Sequence, residues 1–250
     1  QPEQVDTPPA GGPPSDVRLL RPEGGKSWSG FREFEVQRRI YEDADRQICS
    51  FYLAPLDGQP LPPFQPGQFL TFRLPLEGSG GNETLTRCYS LSDRPRSDGY
   101  RVSIKRVPGS AGADGLPPGR SSNYFHDHIE TGTRLQVKAP SGQVHLDQES
   151  NRPLVLIGGG IGITPMLSML EHLLETGSQR EVWLFYGVRN GNEMVMRPRL
   201  QQLAELHPNF HLHSCFSQPR ESDRPDIDYR HRGRADIPLL RNTLPMAGYQ

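Results

Sequence analysis

The sequence has 250 residues, of which 34% are hydrophobic and 23% charged, which suggests one large or two ordinary domains. Its 28 basic and 29 acidic side chains give a net charge of −1, which argues against a nucleic-acid-binding or membrane-binding surface. No apolar run approaches the roughly 20 residues that span a bilayer, and no signal-peptide pattern is present. The three cysteines form neither a metal-binding pattern nor a disulfide framework. We therefore expect a cytoplasmic protein.

A segment rich in proline and glycine opens the chain. Residues 1–27 contain few large apolar side chains and cannot build a core, so we expect a linker or an extended arm. Because the first residue is Gln1 rather than Met, we also expect the chain to be part of a longer protein.

Short strand-like runs separated by turn residues follow the linker. They lie at residues 31–38, 48–53, 68–74, 88–91, 100–105 and 134–138. A helical pattern at residues 121–129 lies between the last two runs. This succession favours a small antiparallel β-barrel, which we assign to residues 28–147.

The pattern changes in the remainder of the chain. Predicted strands at residues 154–157, 181–186 and 210–215 alternate with predicted helices at residues 165–176 and 197–206. This βαβαβ order predicts a parallel sheet with helices on both faces. The expected architecture is an antiparallel β-barrel followed by an α/β parallel-sheet domain over residues 148–250.

A glycine cluster lies between the first parallel strand and its helix. It reads Gly158-Gly-Gly-Ile-Gly-Ile-Thr-Pro165, with Thr164 expected as the helix N-cap and Gly177 as the left-handed residue after the helix. A helix N-terminus attracts phosphate through its free N–H groups, so this turn is a candidate diphosphate site. Ile163 replaces the third glycine of the usual dinucleotide fingerprint, and close packing alone is the alternative explanation.

A second candidate site lies in the barrel. Strand alternation places Arg87 and Tyr89 on one face, with Cys88 and Ser90 on the other. An arginine can pair with a phosphate, a tyrosine can stack on a flat ligand, and Ser90 can hydrogen-bond a ring nitrogen. An ordinary strand with an exposed arginine would contain the same residues.

A glycine-led turn enters the short helix of the barrel. In Gly119-Arg-Ser-Ser-Asn-Tyr-Phe-His126, Ser122 is expected to cap the helix, and the N–H groups after Gly119 can bind a second phosphate. A plain capped helix is the alternative. His126 and His128 are two residues apart and do not share a helical face, so we expect no metal site there.

Together these motifs resemble the ferredoxin–NADP reductase superfamily of flavin oxidoreductases. The resemblance rests on Pro66-Gly-Gln-Phe69, Arg87-Cys-Tyr-Ser90, Ser103-Ile-Lys-Arg106, the segments 119–126 and 158–165, and Phe185-Tyr-Gly-Val-Arg189. The reductase portions of flavohaemoglobins and the reductases of Rieske-type oxygenases are the most similar. The resemblance implies hydride transfer from NAD(P)H to a bound flavin, followed by electron transfer to a protein acceptor.

The resemblance also implies roles for single residues. Arg87 would pair with the flavin phosphate, and Tyr89 and Ser90 would be the catalytic residues, one stacking on the isoalloxazine and the other hydrogen-bonding near N5. Further flavin contacts are implied for Ser103, Lys105, Gly119, Ser121 and Ser122. Contacts to the nicotinamide nucleotide are implied for Gly159, Gly160, Gly162, Thr164, Arg189, Ser217 and Arg220, the last three near the adenosine ribose.

The implied cofactors are FAD, with FMN left open, and either NADPH or NADH. A final strand with a Cys-Gly-Pro motif, typical of the family, does not occur before Gln250, and Cys215 ends an earlier strand. We therefore expect the full protein to continue, and a fused [2Fe–2S] ferredoxin domain is expected only beyond this point, since no cluster-ligand spacing occurs here.

Two other functions stay open at this stage. The missing final strand is compatible with a flavin-binding docking or regulatory module that does not turn over nucleotide. A weaker alternative is a protein of the same architecture that binds neither cofactor.

Overall fold

A computed structural model describes residues 27–78, 81–110 and 115–245. Within these ranges the chain forms one antiparallel and one parallel sheet. The predicted linker over residues 1–27 lies outside the described residues apart from Ser27.

The first sheet is antiparallel and closes on itself. Its strands are β1 Arg32–Tyr41, β2 Ile48–Pro55, β3 Phe69–Gly78, β4 Gly81–Ser90, β5 Tyr100–Lys105 and β6 Arg134–Ser141. They pair in the order β4-β3-β6-β1-β2-β5, and a bridge between Leu91 and Val102 joins the two outer strands. Helix α1, Arg120–His128, lies between β5 and β6 in the chain. The predicted antiparallel barrel is confirmed.

Aromatic rings fill the interior of this barrel. Phe51 and Phe72 come from β2 and β3, Phe125 comes from α1, and all three are fully buried. The ring centroid of Phe125 lies 5.2 Å from each of the other two. Burying an aromatic side chain removes about 150–250 Å² from water, so Phe125 anchors α1 against the barrel.

The second sheet follows the predicted βαβαβ alternation. Its strands are β7 Leu154–Gly159, β8 Val182–Val188, β9 Phe210–Phe216 and β10 His231–Arg232, and its helices are α2 Thr164–Glu175, α3 Arg197–Leu206 and α4 Ile237–Thr243. The strands are parallel in the order β10-β9-β8-β7. Strand β10 and helix α4 were not predicted, because elements of two and seven residues are too short for a periodic pattern.

Helices α2 and α3 pack on the same face of the parallel sheet, so the prediction that they cover both faces is wrong. Leu170 of α2 and Leu200 of α3 lie in one apolar core with Leu184 and Tyr186 of β8. The strand order moves in one direction from β7 to β9. Right-handed crossovers that move in one direction place successive helices on the same side.

The glycine turn after β7 differs from the prediction in one detail. A 3-10 turn, Gly160–Ile163, leads directly into α2, so Thr164 is the first helical residue rather than the N-cap. The Oγ1 of Thr164 donates to the carbonyl of Ile161 at 3.1 Å. Gly160 has a φ of 50°, which glycine adopts without steric strain. Gly177, with a φ of 76°, follows α2 as predicted.

Helix α2 also packs against the barrel. A Cβ on Gly67, in the turn before β3, would lie 2.5 Å from Cε of Met169 in α2. Gly67 also has a φ of 108°, so this close approach requires glycine. Ile48 of β2 belongs to the apolar core around α2. The two sheets therefore share a packed interface.

Stacked histidines cover the other face of the parallel sheet. The ring of His213 lies 4.8 Å from that of Phe185 and 5.1 Å from that of His231, between centroids. The Nδ1 of His213 and the Nε2 of His231 are 2.8 Å apart. Burial lowers the pKa of His213 to about 4. This ring therefore stays neutral over the physiological pH range.

The free energy of unfolding is expected to fall as the pH drops from about 6.5 to about 4. In this window the unfolded chain protonates His213 while the folded chain does not, which favours unfolding by at most about 3 kcal/mol. Urea titrations at about pH 7.5 and about pH 5 measure the difference. His213→Phe keeps a stacked ring and should reduce the pH dependence, whereas His128→Gln, at an exposed position, should not. An unchanged pH dependence in His213→Phe would contradict the expectation.

Candidate cofactor-binding site

A cavity that we call the barrel pocket lies where β4, β5 and the N-terminus of α1 meet. Its volume is about 470 Å³. The predicted flavin contacts that line it are Arg87, Tyr89, Ser90, Ser103, Lys105, Gly119, Ser121 and Ser122. Ile161 and Thr164, from the glycine turn and the start of α2, complete its wall. The fold thus brings separate segments of the sequence to one cavity.

Tyr89 is held in place on two sides. Its hydroxyl hydrogen-bonds the hydroxyl of Ser121 at the start of α1. Its ring packs edge-on against Phe125 and Phe72, with centroid distances of 5.3 Å and 6.0 Å. Burial raises the pKa of Tyr89, so the phenol is neutral at physiological pH. A fixed, half-buried ring in a pocket wall can stack on a flat ligand without losing side-chain entropy.

The first turn of α1 differs from its predicted form. Gly119 is the N-cap residue, and no side chain caps the helix, so the prediction that Ser122 is the cap is wrong. The hydroxyl of Ser122 instead accepts from the N–H of Val107 at 3.3 Å. A Cβ on Gly119 would lie 2.6 Å from Ser122 Oγ, which restricts this position to glycine. A helix N-terminus without a side-chain cap is a common anion site.

Three basic residues, Arg87, Lys105 and Arg120, line the barrel pocket. Arg87 is exposed, and its Nη1 donates to the carbonyl of the adjacent Thr86 at 2.9 Å. Among the side chains that the structure describes, no carboxylate lies within ion-pair distance of Arg87. Lys105 is half-buried in the same wall. The pocket therefore has positive charge available for an anionic ligand.

A second cavity, which we call the sheet cleft, lies at the carboxyl edge of the parallel sheet. Its volume is about 400 Å³. The predicted nucleotide contacts that line it are Gly159, Gly160, Arg189 and Ser217. Gly187, the partner of Gly159 in the next strand, also lines the cleft, so neighbouring strands expose bare backbone there. Ligands of open α/β sheets bind at this edge.

Some predicted nucleotide contacts lie elsewhere. Gly162 is in the wall of neither cavity, and Thr164 lines the barrel pocket rather than the sheet cleft. Arg220 lies outside the cleft wall and pairs with Asp223, with its Nη2 3.5 Å from Oδ1. Arg189 does line the cleft, but its guanidinium is paired with Glu193.

Other residues of the cleft wall were not predicted as nucleotide contacts. They are Ile157, Gly158, Gly187, Val188, Glu193, Gly233, Arg234 and Ala235. A sequence signal existed for Gly187, because it directly follows the predicted strand 181–186 and lies inside the motif that carries Arg189. No comparable sequence signal marked residues 233–235, which follow the two-residue strand β10.

Across residues 27–78, 81–110 and 115–245, no group of three or more His, Cys, Asp or Glu side chains is arranged to hold a metal ion. In the same ranges, no helix is both long enough and apolar enough to cross a membrane.

Comparisons with known proteins agree with this architecture. Residues 156–245 match the family model of the oxidoreductase NAD-binding domain. Flavohemoproteins from Halalkalibacterium halodurans and Chromobacterium violaceum are 39% identical over 217 residues and 38% identical over 224 residues. These alignments cover 87% and 89% of this chain but 51% and 54% of those proteins, so the chain spans about half the length of the curated relatives it matches.

Solved structures extend the similarity to both sheets. The flavohem-like FAD/NAD-binding domain of nitric oxide dioxygenase from Vibrio cholerae has a TM-score of 0.73 and 28% identity, and the match covers 87% of this chain and 84% of that one. Phthalate dioxygenase reductase has a TM-score of 0.56 and 25% identity, over 77% of this chain and 61% of that one. The chain therefore belongs to the ferredoxin–NADP reductase superfamily of flavin oxidoreductases.

Proposed function

We propose that this chain is the reductase module of an electron-transfer protein, which binds FAD in the barrel pocket and NADH in the sheet cleft. One observation supports this proposal above others. The same short turn borders both cavities, with Gly160 in the wall of the cleft and Ile161 and Thr164 in the wall of the pocket. Hydride transfer requires the reacting atoms to approach within about 3–3.5 Å, and ligands in these two cavities would meet at this turn.

The residues of the barrel pocket fit a flavin. When bound, a flavin supplies a ring system that accepts a hydride and releases electrons to an acceptor. The fixed ring of Tyr89 offers it an aromatic surface, and Ser90 and Ser103 offer hydroxyls to ring heteroatoms. Arg87 and the uncapped first turn of α1 offer two places for phosphate, which favours the diphosphate of FAD over the single phosphate of FMN. The similar domain from Vibrio cholerae is described as FAD/NAD-binding.

The residues of the sheet cleft fit a nicotinamide nucleotide, and we favour NADH. Gly159 and Gly187 leave the backbone open to a diphosphate. The carboxylate of Glu193 lines the cleft, and hydrogen bonding from Arg189 lowers its pKa, so it is ionised. A carboxylate can accept hydrogen bonds from ribose hydroxyls and repels a 2′-phosphate. Arg189 and Arg220 already pair with carboxylates, which reduces their capacity to bind the 2′-phosphate of NADPH.

The acceptor we favour is a haem protein or a haem domain of the same protein. The relatives with 38–39% identity are flavohemoproteins, and this chain matches about half of their length. A [2Fe–2S] acceptor is the alternative, because phthalate dioxygenase reductase is described as transferring electrons to such a cluster.

We assign flavin binding to residues 28–147 and nucleotide binding to residues 148–250. A cytoplasmic location is also proposed, since Cys49, Cys88 and Cys215 are all free thiols.

The test combines an absorption spectrum with an anaerobic titration. We expect flavin absorbance in the purified protein, release of FAD on denaturation, and bleaching of the flavin band on adding NADH, faster than with NADPH. A protein that takes up FAD but stays oxidised with both nucleotides would instead favour the docking or regulatory module. A protein that takes up no added flavin would contradict the proposal.

A further inference from the structure

A buried ion pair connects the strand beside the barrel pocket to the helix that follows the glycine turn. Arg101 of β5 and Glu171 of α2 lie with Nη2 and Oε2 3.1 Å apart, and their side chains are 9% and 4% exposed. Solvent ions screen such a pair weakly, and removing one partner leaves an uncompensated buried charge. The ion pair is therefore a stiff link between the barrel and the nucleotide-binding domain.

Arg101 also begins a chain of hydrogen bonds that ends in the wall of the barrel pocket. Its Nε donates to Ser92 Oγ at 3.2 Å, and its Nη2 donates to the carbonyl of the same serine. Ser92 Oγ lies 2.9 Å from Ser103 Oγ, which lies 2.6 Å from Ser50 Oγ. Ser50 and Ser92 are fully buried, whereas Ser103 lines the pocket. A carboxylate on α2 is thus connected to a hydroxyl that faces the proposed flavin.

The two elements that carry the ion pair also carry residues of the pocket wall. Along β5, Arg101, Ser103 and Lys105 lie on one face of the strand, and the last two line the pocket. Along α2, Thr164 lines the pocket and lies two helical turns before Glu171, about 10 Å along the axis. The ion pair therefore joins two elements that both contribute residues to the wall of the pocket.

Charged groups around the ion pair affect the pKa of Glu171. Burial raises the pKa of Glu171 above its usual range, the guanidinium of Arg101 opposes this shift, and the carboxylate of Asp93 adds to it. Arg199 of α3 lies 3.9 Å from Glu171, between its Nε and Oε1. Without Arg101, the charged form of Glu171 would lose its closest counterion.

We propose that Arg101 and Glu171 are positioning residues, which hold α2 against the barrel pocket and thereby set the rate of hydride transfer without contributing to the affinity for either cofactor. The inference rests on the proposed reductase function. The transfer moves one hydride, a proton with two electrons, from NADH to the flavin and leaves NAD⁺. Neither residue accepts a proton or an electron in this step.

The first test is Glu171→Gln in the FAD-loaded protein, which removes the charge and keeps the side-chain volume. We expect the rate of flavin reduction at saturating NADH, measured by anaerobic stopped flow, to fall about 10- to 100-fold because the domains are misplaced. The affinities for FAD and NADH should change by less than about threefold. A rate equal to that of the unaltered protein, or a loss of FAD in proportion to the loss of rate, would overturn the proposal.

Glu175→Gln is the matched control. Glu175 lies four residues later in α2 and pairs with Arg94 of the barrel domain and with Arg199 of α3, but these side chains are 32% to 36% exposed. Exposed ion pairs contribute little to stability, so we expect nearly unchanged kinetics. A similar loss of rate in both variants would show that the buried pair has no special role.

A second readout does not depend on turnover. We measure amide hydrogen exchange in β5 and α2 of the FAD-loaded protein without nucleotide, where Glu171→Gln should exchange faster than the unaltered protein and Glu175→Gln should not. Equal exchange in all three proteins would overturn the positioning role. If NADH failed to reduce even the unaltered protein, the proposed function would be wrong, and the exchange data would still decide whether the ion pair holds the domains together.

Discussion

Gly159→Val is expected to weaken NADH binding by at least about 100-fold, or about 2.7 kcal/mol, while FAD stays bound. Gly159 has an ordinary extended backbone, with φ −128° and ψ 132°, so valine fits there without strain. A Cβ at this position meets only the carbonyl oxygen of Gly187, at 3.8 Å. The isopropyl group would therefore enter the sheet cleft rather than the core. Equilibrium titration with NADH, followed by the flavin absorbance, gives the affinity.

Gly162→Val is the matched comparison for this variant. Gly162 lies in the same turn, a Cβ there would meet no atom within 4 Å, and the residue lines neither cavity. We expect nearly unchanged NADH affinity. Gly160→Val is less informative, because Gly160 has a φ of 50° and valine would strain the backbone. A large loss of affinity in Gly162→Val but not in Gly159→Val would contradict the assignment of NADH to the sheet cleft. It would instead support the nucleotide contact that the sequence predicts for Gly162.

Tyr89→Ala is expected to weaken FAD binding by about 1–3 kcal/mol, which is the usual contribution of a base stacked on an aromatic side chain. The ring lines the barrel pocket and is fixed by Phe125 and by the hydroxyl of Ser121. Fluorescence titration of the apoprotein with FAD measures the change. Unchanged affinity would remove Tyr89 from the binding site.

Tyr89→Phe separates stacking from folding effects. Phenylalanine keeps the ring and its contacts to Phe72 and Phe125 but loses the hydrogen bond to Ser121. We expect this variant to keep most of the FAD affinity, and thermal unfolding of both apoproteins measures any general loss of stability. Equal weakening in both variants would assign the effect to the hydroxyl rather than to the ring.

The local features of the fold could be predicted because they depend on neighbours in the sequence. Strand runs, the helical stripe of α2 and the left-handed position of Gly177 each repeat a short pattern of apolar or turn residues. Helix starts were less predictable. Thr164 and Ser122 are good capping residues by type, but a 3-10 turn precedes one helix, and the hydroxyl of the other residue accepts from Val107. Both outcomes depend on contacts outside the helix itself.

The candidate site, like the fold, has features that the sequence predicts and features that it does not. The types of residue that could bind a flavin and a nucleotide were predictable from the sequence, since Tyr89, Ser90 and the glycines after β7 lie in recognisable local motifs. The grouping of these residues into cavities was not predictable from local motifs: Gly160 and Thr164 border different cavities, and Arg220 pairs with Asp223 instead of lining the cleft.

The ion pair between the domains shows why contacts between distant residues are hard to predict from local sequence. Arg101 and Glu171 are 70 residues apart in the chain, and neither belongs to a motif that marks a partner. Their contact exists because packing of α2 on the barrel buries both charges together, and a buried charge is tolerated only beside a partner. Local sequence therefore specified the elements and their chemistry, whereas the packing of distant elements decided which side chains meet.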